Sequence, residues 1–431
     1  MNRIIHGGLA LALVAAVGGT AACSDGAAGD ADGTVTITFS SYNYGTQGAA
    51  GTGTQALLDR FAELHPEIRV RPEAVPTAEV LTKTKAAVAA GDAPDVVQIG
   101  YSKLAEALRT LPTQSLERIA GDEWRGHVEG ITPGPVQAGS WEGSVHALPY
   151  TISIPTVFYN GDLFRKAGLD PASPPETMDE VRTVAQAIAK TGKHGVYFGI
   201  VDSGKSDYLA QSVINSAGGA LLDTNGRVAV DSPEAVAGIR QIQQLTTDKL
   251  QPAVTTEDAL AAFAAGDLGM FVVSTAVLGN LQTAAEGKFD LRTAAFPSFG
   301  TGPARPTHSG AALVVLSQDT AKQRAAWEFV KFLTSDEGYR LITTKIGYLP
   351  LRANLVTGAL ADHFRQNPLL LPTIGQLGNM QPYRSFPGAK ANQATVLLQD
   401  DAIAPIVLRG ADPDATLRKT ADRIRTLVGS E

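Results

Sequence analysis

Five tyrosines stand where predicted strands end or where the chain is expected to pass between layers: Tyr42, Tyr101, Tyr150, Tyr208 and Tyr348. Tyrosine offers a flat apolar face and a hydroxyl, the two properties needed to hold a polyhydroxylated ring. Each buried hydroxyl of such a ring must find a partner, because an unpaired one is costly. Strand ends are also where the cleft of a layered α/β fold opens. For each tyrosine the alternative is an ordinary half-buried side chain, and that alternative is strongest for Tyr150. Arg384 lies in a loop-like stretch between Pro382 and Pro387. Its planar fork suits two hydroxyls, a carboxylate or a phosphate, with a surface salt bridge as the plain alternative.

Signatures of catalysis are missing. The sequence has no G-x-S-x-G elbow, no H-E-x-x-H pair and no P-loop. Its seven histidines are scattered, so neither a metal site nor a cofactor is expected. Gly51, Gly53 and Ala56 match G-x-G-x-x-A, with Glu73 further on. A dinucleotide fingerprint needs its turn directly after a strand, whereas about ten residues intervene here. A flexible glycine-rich loop entering a helix is the expected structure. Trp327 is expected in a helix core, Trp141 in a hairpin near the cleft rim, and Asp95 in a structural role.

The elements that must position these residues alternate along the chain. Val35–Ser40 alternates apolar and polar residues and predicts a strand; Gln55–His65 carries Leu57, Leu58, Phe61 and Leu64 on one helical face. Val80–Ala90 predicts a helix ended by Gly91, and Val96–Ile99 a short buried strand. Thr177 and Glu180 form a capping-box pattern, and Ser232 followed by Pro233 opens another helix. Gly310–Ser317 predicts a buried strand, and Pro413–Leu427 a last amphipathic helix. The class is α/β with mixed sheets and helices on both faces.

The ends and the composition narrow the setting. Arg3 precedes an apolar run from Leu9 to Val17, too short for a span, which takes roughly 20 residues. Small residues then lead to Cys23, the only cysteine, in an arrangement that resembles the lipobox of bacterial lipoproteins. The expectation is a signal peptide over 1–22, a lipid on Cys23 as the membrane contact, and a tether over 23–34. A single cysteine leaves no internal disulfide in a monomer, the expected state. Lysine and arginine number 36 against 43 acidic residues, for a net charge of −7. No basic block offers the phosphate neutralisation that nucleic acid requires.

Several segments resemble, in order, the family of bacterial extracellular solute-binding proteins that serve carbohydrate importers. They are Phe61–Val70, Ala86–Gln98, Ala147–Asp170, Phe263–Met270, Ser309–Val315 and Tyr348–Leu351. The resemblance implies a two-lobed periplasmic-binding-protein fold (type II) with the ligand cleft at a multi-strand hinge. It places about 35–149 and 308–350 in the N-terminal lobe, and 150–307 and 351–431 in the C-terminal lobe. Leu377–Arg384 is similar to a late loop of the branch that binds glycerol 3-phosphate and its diesters. By that resemblance Arg384 meets phosphate or hydroxyls, and Ser153, Ser274, Gly310 and Tyr348 are ligand residues. Tyr208 falls where that branch stacks a tryptophan. Two positions depart from it: Tyr101 replaces an acidic residue and Thr77 a tyrosine. An added aromatic suits a sugar ring.

The implied function is capture of a sugar outside the membrane and delivery to the permease of an ABC importer. A glycerophosphate-type ligand is the second choice. A secreted hydrolase on a similar scaffold, and a sensory or adhesive lipoprotein, are the rival classes.

Overall fold

The structure, a computed structural model, describes residues 33–202 and 205–429. The expected signal peptide, the expected lipidation site at Cys23 and most of the expected tether lie outside the described residues. Two mixed sheets organise the rest. Their strands are β1 (Val35–Ser41), β2 (Ile68–Ala74), β3 (Val96–Gly100), β4 (Ala147–Ser153), β5 (Pro155–Asn160), β6 (His194–Phe198), β7 (Leu268–Ser274), β8 (Leu291–Ala294) and β9 (Ser309–Val315). The helices that bear on the site are α1 (Ala49–Leu64), α2 (Val80–Ala90), α3 (Tyr101–Thr110) and α4 (Asp207–Ser216).

The first sheet has the order β2-β1-β3-β9-β4. β1 pairs in parallel with β2 and β3, which requires the crossover helices α1 and α2. β9 arrives late in the chain and inserts antiparallel between β3 and β4. The second sheet has the order β8-β5-β7-β6, antiparallel except for the β6–β7 pair. Each sheet carries its own apolar layer. Phe39 and Phe61 meet Phe329 edge-on at 5.1 and 5.0 Å in the first. Phe198 and Phe296 meet at 6.4 Å in the second, where Phe263 also stacks on Phe271 at 5.8 Å.

Local signals predicted several boundaries well. α2 ends at Gly91, whose left-handed φ of 75° closes the helix. Thr177 and Glu180 form both halves of a capping box, and the Ser232 hydroxyl caps the helix starting at Pro233. Trp327 is fully buried, and Trp141 lies in a two-residue hairpin under the Arg109 guanidinium, 5.0 Å from the ring centroid. Asp95 ties β1 to β3: its Oδ2 accepts from the Thr38 N–H at 2.9 Å, while its own N–H donates to the Thr38 hydroxyl at 2.9 Å.

One expectation is corrected. The glycine-rich stretch is helix, not loop, because α1 begins at Ala49. A Cβ on Gly53 would lie 2.4 Å from Ile346 Cγ1, so the glycine permits close approach of α1 to the turn at 342–346. β4 stays in the first sheet to Ser153, and the chain passes to the second sheet at Ile154. Further along, Arg352 bridges to Ile131 and donates to the Glu129 and His127 carbonyls, both at 2.6 Å. The chain has rejoined the second sheet by Thr373, whose hydroxyl lies 2.7 Å from that of Thr156.

Candidate ligand cleft

The two sheets turn matching ends toward each other, and a cavity of about 450 Å³ opens between them. From the first sheet come the carboxyl ends of β1, β3 and β4 and the amino end of β9. From the second come the carboxyl end of β7 and the loop after β6. The registers put Ser309 opposite Ser153 in one sheet and Pro155 opposite Ser274 in the other. The chain therefore crosses between sheets at the cavity floor.

Seven of the expected ligand residues line this cavity: Tyr42, Tyr101, Ser153, Tyr208, Ser274, Gly310 and Tyr348. Thr77 lines it as well. Tyr42 follows β1 in a turn held by Ser41, whose hydroxyl accepts from the Asn43 and Tyr44 N–H groups and donates to Gln98 at 2.6 Å. Tyr101 is the first residue of α3, directly after β3. Tyr208 is the second residue of α4. The Ser274 hydroxyl accepts from the Ala276 N–H at 3.1 Å and keeps its own proton to donate. Tyr348 follows Gly347, whose φ of 95° turns the chain back toward the cleft.

Burial sets the electrostatics. It pushes the phenols of Tyr42, Tyr101, Tyr208 and Tyr348 above the usual tyrosine range. Neighbouring tyrosines add to this at Tyr42, chiefly Tyr348. All four are therefore neutral at physiological pH and available as donors. The charged residues of the lining are Lys103, Asp202, Lys205 and Asp207, which cancel.

Two of the residues weighed lie outside this cavity, Tyr150 in keeping with its plain alternative. Tyr150 is fully buried and is not part of the lining. It is the extra residue of a bulge: Ala311 pairs with Thr151 and the next residue, Ala312, with Pro149. Arg384 is exposed and faces a neighbouring cavity with Arg305, while Tyr383 lines the cleft. The late loop runs extended, with Gln381 bridged to Thr307. Gln211 pins its backbone by donating to the Arg384 carbonyl at 2.9 Å and accepting its N–H at 3.1 Å. His308 Nε2 accepts the Tyr383 N–H at 3.2 Å. In an extended segment successive side chains point opposite ways, so a loop docked with Tyr383 inward sends Arg384 outward.

The sequence reading missed Lys103, Asp207, Tyr383 and Asn43. Only Tyr383 had a signal, its place beside Arg384 in the recognised loop. The others are polar residues buried by segments distant in the chain. Among the described residues, no group of histidine, cysteine, aspartate or glutamate is arranged to hold a metal, and no helix is long and apolar enough to cross a membrane.

Comparisons with known proteins agree with this geometry. The sn-glycerol-3-phosphate-binding periplasmic protein UgpB of Pectobacterium atrosepticum is 25% identical over 71% of each chain. Among solved structures, the cyclic alpha-maltosyl-1,6-maltose binding protein of Arthrobacter globiformis superposes with a TM-score of 0.79 at 21% identity, covering 93% of this chain and 100% of that one. UgpB of Mycobacterium tuberculosis in complex with glycerophosphocholine gives a TM-score of 0.80 at 22% identity, covering 92% and 99%. Likenesses at this identity establish the fold, the two-lobed type II architecture. Residues 44–340, more than half the chain, match the family described as bacterial extracellular solute-binding protein, and to that family the chain belongs.

Proposed function

We propose that the chain is the substrate-binding component of an ABC importer and that it captures a mono- or oligosaccharide between its lobes. The observation that carries this reading is the state of the cavity wall. Asn43 Nδ2, the Tyr101 and Tyr383 hydroxyls, Asp207 Oδ2 and Thr256 Oγ1 are buried polar atoms without a hydrogen-bond partner, and all five residues line the cavity. Such groups are costly unless something polar partners them. A sugar supplies hydroxyls that donate and accept, and an apolar ring face for Tyr208.

The cancelling charges of the lining disfavour a phosphomonoester dianion more than a neutral sugar. A glycerophosphodiester is the second reading, favoured by the likeness to the two UgpB proteins. In either case Cys23 would carry the lipid that holds the chain at the outer face of the cell membrane. The chain would act there as a monomer and deliver its ligand to separate permease subunits.

A thermal-shift screen of the purified chain against maltose, mannobiose and glycerophosphocholine tests the reading. A ligand that binds only the folded state stabilises it by about 2.7 kcal/mol at 100 times its dissociation constant. A shift with a saccharide supports the proposal; a shift with glycerophosphocholine alone promotes the second reading; no shift with any of them refutes both.

A further inference from the structure

Two charged side chains in the cleft form no close ion pair. Lys103 lies in the first turn of α3 on the first lobe, Asp207 opens α4 on the second, and both line the cavity. They are 4% and 5% exposed, a state that charged groups rarely occupy unpaired. The Lys103 ammonium makes no hydrogen bond or ion pair with any described residue. Glu106, one turn further along α3, is already taken by Lys85 at 2.6 Å and by the Asn392 N–H at 3.0 Å. Asp207 Oδ2 and the hydroxyl of Tyr383 are buried beside each other, and neither makes a close hydrogen bond within the protein. Burial pushes the Lys103 ammonium down in pKa, opposed in part by the Asp207 charge, and pushes the Asp207 carboxyl up, opposed first by the Tyr383 hydroxyl and last by the Lys103 charge.

An ammonium only donates and a carboxylate only accepts, whereas a hydroxyl does both. A pair of adjacent hydroxyls placed between Lys103 and Asp207 therefore satisfies both ends without bringing any net charge. We propose that Lys103 and Asp207, with Tyr383 beside them, form a clamp for a vicinal diol that reaches from one lobe to the other; this rests on the cavity being the ligand cleft. Lys103 donates to one hydroxyl oxygen, and the neighbouring hydroxyl donates to Asp207 Oδ2. Because the two partners belong to different lobes, a diol between them favours the closed state, so recognition and closure are coupled. A pyranose ring and the glycerol moiety of glycerophosphocholine both present this diol.

The test is calorimetric titration of the unchanged chain, Lys103→Met and Asp207→Asn with maltose and with glycerophosphocholine, alongside the melting temperature of each free protein. Whichever compound the unchanged chain binds should lose about 10- to 100-fold in affinity in each variant, the range for a hydrogen bond to a charged group. The free variants should melt level with the unchanged chain or above it, since each loses an unpartnered buried charge. Affinities within about threefold of the unchanged chain, less than such a hydrogen bond contributes, overturn the clamp and leave the cleft reading standing. A fall of several degrees in both free variants marks the two residues as a structural pair and also overturns it. Binding of glycerophosphocholine but not maltose, weakened in both variants, sinks the sugar reading and supports the clamp. Binding of neither compound overturns both.

Discussion

Gly310→Ala should be the most damaging single methyl addition at the cleft. Gly310 has a φ of +122°, a region that L side chains rarely adopt. A Cβ there would sit 2.1 Å from the Thr151 carbonyl oxygen, 2.7 Å from its carbon and 3.0 Å from Ile152 Cα. These are backbone atoms of β4, the ladder partner of β9, and no rotamer change relieves the contact. β4 is an edge strand, yet the Tyr339 hydroxyl holds its Pro149 carbonyl at 2.6 Å and the Leu349 N–H holds its Ile152 carbonyl at 2.9 Å. The strained φ costs about 1–3 kcal/mol, and overpacking a further 1–3 kcal/mol or so. A folding unit of 150–250 residues loses about 2–4 °C per kcal/mol, so the melting temperature should fall by roughly 4–24 °C. Circular dichroism melts of the variant and of Gly302→Ala, where nothing lies within 4 Å of the added carbon, provide the comparison. A fall under about 2 °C for Gly310→Ala, less than 1 kcal/mol predicts, would refute the reasoning.

Arg384→Ala should leave affinity within about threefold, because the side chain faces away from the cleft and is not one of its hydrogen-bond donors; a hundredfold loss by calorimetry would restore it as a ligand residue. Asp95→Ala should cost about 1–3 kcal/mol of stability by orphaning the Thr38 N–H, with affinity retained; denaturant melts decide this. Burial lowers the imidazole pKa of His308 to about 4, and burial with the nearby Arg352 and Lys331 charges lowers that of His127 to about 4. Unfolded histidine titrates near 6.5, so the unfolded chain binds protons first and stability falls as pH drops from about 6.5 toward 4. The melting temperature should therefore fall between pH 6.5 and 4.5, and less steeply in His308→Gln; identical slopes would contradict the assignment. Protonation would also replace the acceptor that His308 Nε2 offers to the Tyr383 N–H.

Much of the fold was legible because it rests on local rules. The period of Val80–Ala90, the glycine behind it, the Thr177–Glu180 capping box and the Ser232–Pro233 start all depend on residues within one or two turns. Tyr42, Tyr101 and Tyr348 were legible as cleft residues for a similar reason, since each follows directly from a strand end or a turn. What was not legible depends on partners far along the chain. The glycines of α1 look like a loop until the turn at 342–346 packs against them. Tyr150 and Thr151 are adjacent strand residues, and only the register with β9 shows which one is the bulge. Arg384 and Tyr383 exchange roles because Gln211 and His308 dock the loop backbone, an arrangement with no sequence pattern of its own. Lys103 and Asp207 look like ordinary exposed helix-start charges, and their burial depends on segments distant in the chain.

The measurement that tests the central claim most directly is a crystal structure of the chain grown with the saccharide that gives the largest thermal shift. Density is expected between the lobes, with a ring face against Tyr208 and hydroxyls within hydrogen-bond reach of Ser153, Lys103 and Asp207. Density beside Arg305 and Arg384, with the cleft between β4 and β7 left unfilled, would contradict it.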